Sequence, residues 1–162
     1  MQKNIIPVTS ILILILFLTS CSKQDPLRID ETIYVRHQGA DMPAYVHGNP
    51  VNKTYLVVLH GAGSFGLSFR DGLFREVLED EFVVVYFDHR GQSMSQGHYS
   101  KPDDLIALMA DDVYALIKVL KFKYGEDNDY FLMGHSLGGA IGTLALLRNN
   151  LQQEVNGWIS VA

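Results

Sequence analysis

Gly134-His135-Ser136-Leu137-Gly138 sets one hydroxyl between two glycines. An apolar run over 129–133 leads in, and a second over 140–147 leads out at helical spacing. Glycines at these two places allow a sharp strand-to-helix turn that a larger side chain would block, and such a turn lifts the serine hydroxyl clear of the sheet. The helix that follows points its first amides and its dipole at whatever forms on Ser136, which favours an oxyanion. The chemistry implied is nucleophilic attack by Ser136 on a carbonyl. The alternative is a helix start whose small residues serve close packing alone.

An acyl transfer needs two backbone N–H donors aimed at the developing oxyanion. Leu137, directly after the serine, supplies one. The other is expected from an earlier loop. Residues 54–59 read as a buried strand and end in His60-Gly61-Ala62-Gly63, where Ala62 is the candidate donor and Gly61 lets the backbone come close. His60 is expected to hold this loop by hydrogen bonds. An ordinary glycine-rich strand-to-helix turn is the competing reading. A phosphate loop is disfavoured because no Gly-Lys-Ser/Thr follows. A third loop, Asp88-His89-Arg90-Gly91-Gln92-Ser93-Met94-Ser95, follows the strand-like run 82–87. Asp88 and Arg90 read as braces beside the turn rather than as reacting groups.

These three pieces, in this order, resemble the α/β-hydrolase superfamily from about Thr32 to the last residue. His60-Gly61-Ala62-Gly63 with Gly134-His135-Ser136-Leu137-Gly138-Gly139 is similar to the monoacylglycerol lipase and lysophospholipase-like branch. Asp88-His89-Arg90-Gly91 looks more like an Asp-x-Arg-Gly-x-Gly-x-Ser loop shared with proline iminopeptidases, although Ser93 stands at its second glycine. The resemblance implies Ser136 as catalytic nucleophile and the Ala62 and Leu137 amides as oxyanion hole. His60, Gly61 and Asp88 then form a supporting loop. It also implies a later acid and then a histidine.

No histidine follows Ser136, and Glu154 is the only carboxylate side chain beyond it. All six histidines, His37, His47, His60, His89, His98 and His135, come before or beside it. A serine hydroxyl needs a base, and that base needs an orienting acid. His89 and His98 are poor substitutes for the base. The expectation is therefore an α/β-hydrolase fold truncated before its acid and histidine elements, and inactive alone.

Residues 1–20 read as a leader. Lys3 is followed by the apolar run 11–18, too short for a comfortable membrane span. Leu18-Thr19-Ser20-Cys21 resembles the lipobox of bacterial lipoproteins, which implies a lipidated Cys21 at the mature N-terminus. An uncleaved anchor helix is the alternative. Cys21 is the only cysteine, so no disulfide forms within the chain. Residues 21–30 are then a tether and 31–162 the partial hydrolase domain. The implied location is the bacterial cell envelope, and Ser22 in place of aspartate favours the outer membrane.

The net charge of −5 is wrong for nucleic acid, whose phosphates want a basic face. No cofactor is expected, and no metal ligand set is apparent. The remaining elements must position the loops. Residues 31–37 and 43–47 read as an opening strand pair and 67–80 as a helix. A further helix starts at Ser100-x-x-Asp103 and carries Leu105, Leu108, Met109, Val113, Leu116, Ile117 and Leu120 at helical spacing before Gly125. Residues 156–162 read as the next parallel strand. The fold class is α/β, a mostly parallel sheet flanked by helices, with the site at the carboxyl ends of the strands. Three functions are compatible: hydrolysis of carboxylic esters, including acyl lipids, as small-molecule substrates; peptidase action like that of proline iminopeptidases; or a non-catalytic lipoprotein on a hydrolase scaffold.

Overall fold

Runs of valine, tyrosine, phenylalanine and leucine suit a pleated surface buried on both sides, and they build the middle of one sheet. The computed structural model describes residues 27–97 and 105–161. The expected leader, Cys21, His98 and the expected Ser100–Asp103 helix start lie outside these residues. Six strands form: β1 (Ile29–His37), β2 (Ala40–Gly48), β3 (Thr54–Leu59), β4 (Val83–Phe87), β5 (Asp129–His135) and β6 (Gly157–Val161). Their order across the sheet is β1-β2-β4-β3-β5-β6. β1 and β2 form an antiparallel hairpin, and β2 is also antiparallel to β4. β3, β4, β5 and β6 are mutually parallel. The sheet is thus mostly parallel, and its opening strand pair was legible in the sequence.

Two helices cover one face. In α1 (Leu105–Tyr124), Met109, Val113, Leu116, Ile117 and Leu120 are buried, as their spacing predicts. In α2 (Leu137–Leu147), Ile141 and Ala145 are buried. Both pack on Val57, Leu59, Val83, Val85, Phe87, Tyr130 and Leu132. Burying each such aliphatic side chain contributes roughly 1.5–3 kcal/mol, so this face dominates the stability of the sheet. Gly125, at φ +120°, ends α1 as expected.

The opposite face is thinner. Val58, Val84, Tyr86 and Met133 are buried there beneath Leu67, Phe69, Phe74 and Leu78. The helix expected over 67–80 is not one helix. It divides into a 3₁₀ turn (Gly66–Phe69), a π turn (Phe74–Leu78) and one α turn (Glu79–Glu81). The break lies at Asp71 and Gly72: Gly72 adopts φ +47°, and its N–H is held by the Asp71 carboxylate at 2.8 Å. A left-handed residue cannot continue a right-handed helix. An apolar hollow of about 670 Å³ stays open on this face between Leu56, Leu73, Phe74, Phe131, Met133 and Ile159. Among the described residues, no helix is long and apolar enough to cross a membrane.

Candidate active site

β5 runs two residues further than expected and hands over to α2 with no intervening loop, so Ser136 is itself the junction. Its backbone adopts φ +52° and ψ −117°. A non-glycine residue in this region costs on the order of 1–3 kcal/mol and persists only where the surroundings impose it. Here they do. The Ser136 N–H donates to Val161 O on β6 at 3.0 Å, and its carbonyl accepts from the Gly139 and Ala140 amides at 2.9 and 3.3 Å.

Both glycines of the pentapeptide are sterically required. A Cβ on Gly134 would come within 2.4 Å of the Gly138 carbonyl oxygen, and one on Gly138 within 2.1 Å of the Leu59 carbonyl oxygen. The Trp158 indole of β6 seals the turn from beneath, because it also occupies the space of a Cβ on Gly134 and on Gly142. The Ser136 side chain is exposed and does not cap α2. Leu137 opens α2, so its amide lies among those that have no carbonyl one turn back.

The His60–Gly63 loop comes directly against this junction. A Cβ on Gly61 would stand 3.2 Å from Ser136 Cβ and 3.3 Å from His135 Nδ1. Only glycine allows that approach comfortably. Gly61 is buried while Ala62 and Gly63 are exposed on the rim. Gly63 turns the chain at φ +70°, and the Ser64 N–H closes back on Gly61 O at 3.3 Å. His60 is fully buried; its Nδ1 lies 2.8 Å from Gly61 O and its Nε2 3.3 Å from the His89 amide. The His135 ring lies edge-on to Phe69, 5.8 Å between centroids.

Asp88 is fully buried and serves three partners. Oδ1 accepts the Gly66 N–H at 2.7 Å, and Oδ2 accepts the Tyr45 hydroxyl at 3.2 Å and the Met94 N–H at 3.3 Å. Burial, followed by the neighbouring carboxylate, pushes the Tyr45 phenol up to about 12. Arg90 has no exposed surface. Its Nε and Nη2 grip both oxygens of Asp112 at 2.9 and 2.7 Å, while its guanidinium also donates to the carbonyls of His37 and Gln38. His37 Nδ1 shares Asp112 Oδ1 at 2.7 Å. Glu154 is paired with Lys121 at 2.9 Å, and the Lys121 hydrogen bond is the leading cause that holds its carboxyl below the usual range.

Asp112 was not singled out from sequence, although one signal was present: it is an acid on the apolar stripe of α1, and such a residue needs a buried cation. Trp158 carried no signal of its role. An open groove of about 480 Å³ runs from Ser136 along Gly139, Ala140, Thr143 and Leu147 to Val161. Among the described residues, no group of His, Cys, Asp and Glu is placed to hold a metal ion, and no imidazole bonds to the Ser136 hydroxyl. The arrangement presents an exposed hydroxyl on a strained turn, with the Gly61 backbone close against it.

Residues 50–162 match the family model described as serine aminopeptidase, S33. Over 119 residues the chain is 32% identical to a protein of Caulobacter sp. (strain K31) provisionally named carbamate hydrolase RutD, spanning 70% of this chain and 41% of that one. It is 31% identical over 118 residues to the mouse lysophosphatidylserine lipase ABHD12, spanning 72% of this chain and 28% of the lipase. Among solved structures, a proline iminopeptidase-related protein from Thermus thermophilus superposes with a TM-score of 0.65 at 26% identity, covering 82% of this chain and 44% of that one. An epoxide hydrolase from Vigna radiata, at 20% identity and a TM-score of 0.66 over 84% of this chain and 40% of its own, shares the fold. The chain spans less than half the length of each of these relatives, and it belongs to the serine aminopeptidase S33 family of the α/β-hydrolase superfamily.

Proposed function

We propose that Ser136 is the nucleophile of a serine hydrolase acting on carboxylic esters, acyl lipids among them. The observation that carries this reading is the exposed serine at φ +52° on the β5–α2 junction, with Gly61 pressed against it. Ser136 Oγ attacks the carbonyl carbon and gives its proton to a base. The Ala62 and Leu137 amides receive the oxyanion. The alcohol departs with that proton, and water then releases the acyl group from Ser136. The base and its orienting acid come from the portion of the relatives' length that this chain does not span, in the order serine, acid, histidine. The groove beside Ser136, with Leu144 and Leu147 on its wall, suits an acyl chain.

A peptidase acting on N-terminal residues is the second reading, favoured by the description of the matched family model and by the iminopeptidase-related structure. A panel of monoacylglycerol and prolyl substrates on the full-length protein separates the two. The lipobox-like Leu18-Thr19-Ser20-Cys21 supports tethering to the bacterial envelope through a lipidated Cys21, and Cys21→Ser is then expected to release the protein from the membrane fraction.

The primary test is a fluorophosphonate probe applied to the full-length protein. Labelling is expected for the wild type and absent for Ser136→Ala. A wild-type protein that takes no probe ends the reading and favours a non-catalytic lipoprotein; a Ser136→Ala variant labelled equally ends it by moving the nucleophile to another residue.

A further inference from the structure

We infer that His89 is a positioning residue behind the oxyanion loop: its main-chain N–H keeps His60 as the neutral Nδ1–H tautomer, its imidazole ties down the His60 carbonyl, and His60 in turn clamps the Gly61–Ala62 peptide so that the Ala62 N–H faces the rim. This rests on the proposed function, because it assigns the orientation of one of that site's two donors.

Backbone atoms decide the tautomers. Gly61 O can only accept, so His60 Nδ1, at 2.8 Å from it, carries the proton. The His89 amide can only donate, so His60 Nε2, at 3.3 Å, is bare. In return, His89 Nε2 lies 3.2 Å from His60 O, which again can only accept, so His89 carries its proton there. The two loops are thus tied reciprocally, each by an imidazole and a main-chain group of the other. The parallel register that pairs Leu59 with Phe87 makes this possible, since it brings the loops out of β3 and β4 at one level.

The clamp acts across one peptide plane. In a trans peptide the C=O and the following N–H point in opposite directions. Gly61 O is drawn toward a fully buried imidazole, so the Ala62 N–H is turned away from the interior, where Ala62 is exposed. A carbonyl that accepts a hydrogen bond also polarises its own N–H, which strengthens the donor. A protonated His60 would set a second N–H against the His89 amide. Burial opposes this for both rings: it pushes His60 down, and His89 down to about 3. The two rings lie 4.4 Å apart and His89 also meets Phe87 edge-on, so neither is free to rotate. His89 Nδ1 is buried with no hydrogen-bond partner among the described residues. Both histidines are therefore spent on positioning, and neither serves as base to Ser136.

The test separates donor position from mere bulk. Asparagine at 60 places an amide N–H near the imidazole Nδ1 position, whereas glutamine places it near Nε2. Nitrogen-15 NMR of the full-length protein at neutral pH is expected to show His60 protonated at Nδ1 alone. The Ala62 amide resonance is expected to hold in His60→Asn and to move in His60→Gln. The fluorophosphonate labelling rate should stay within about tenfold in His60→Asn and fall about 10²-fold in His60→Gln, the scale of one oxyanion donor. His89→Gln, which keeps an N–H at the ε position, should follow the first pattern and His89→Ala the second. A His60 ring protonated at Nε2, or His60→Asn and His60→Gln variants that behave alike, would overturn the inference while leaving the serine-hydrolase reading intact. A wild type with the expected tautomer that takes no probe overturns that reading and the purpose assigned to the clamp with it.

Discussion

Two loops leave the same rim of the sheet and use their side chains in opposite ways. The loop after β4 carries Asp88, His89 and Arg90, all of them buried; Asp88 and Arg90 each have several partners, and His89 bonds the His60 carbonyl. The loop after β3 carries Gly61, Ala62 and Gly63, two of which are exposed with almost no side chain to offer. The loop richer in ionisable groups is thus the frame, and the loop poorer in them lies beside the Ser136 hydroxyl. Carboxylates and guanidinium groups are costly to bury unless paired, and once paired they are rigid. Main-chain amides can face a substrate without that cost. In this molecule the abundance of chemistry-bearing side chains marks the support, and the strained backbone marks the site.

The contrast can be broken by experiment. Arg90→Ala leaves Asp112 buried with only His37 for charge. It is expected to lower unfolding free energy by about 3–5 kcal/mol, measured by urea denaturation. A loss under about 1 kcal/mol would mean that the charged loop is not the frame. Gly138→Ala drives a methyl to 2.1 Å from the Leu59 carbonyl oxygen, so about 1–3 kcal/mol should be lost, with the elbow displaced.

The buried pair sharpens the contrast through pH. His89 is depressed to about 3 in the folded protein, below its unfolded value of about 6.5. Between these values the unfolded chain binds a proton that the folded chain refuses. Stability from this group is therefore full above pH 6.5 and falls as pH drops toward 3, by at most about 1.4 kcal/mol per pH unit. His60 is shifted in the same direction and adds to the slope. His89→Gln should flatten the slope, and an unchanged slope in denaturation curves at pH 7, 6 and 5 would place the titrating group elsewhere. The smallest effect is expected in the chemistry-facing loop: Ala62→Ser, at an exposed site, should change stability by less than about 0.5 kcal/mol.

How much of this was legible in the sequence differs by element. The stripe of α1 and the pentapeptide were readable because helical spacing and glycine placement are local. The segment 67–80 misled, because Leu67, Phe74 and Leu78 suggest a helical face while Gly72 takes a left-handed conformation that spacing does not reveal. Asp88 and Arg90 were read as braces, but their partners were not: Arg90 finds Asp112 across 22 residues, and Asp88 finds Tyr45 across 43.

The sequence by itself determined the alternation of strands and helices, the parallel character of the sheet and the identity of the candidate nucleophile. Each of these is written in periods and neighbours a few residues apart. Only the tertiary structure decided that β4 lies between β2 and β3, that Trp158 closes the elbow from below, and that the imidazoles of His60 and His89, 29 residues apart, each meet a main-chain group of the other. These follow from strand register and close packing, which bring together groups whose separation along the chain carries no local pattern.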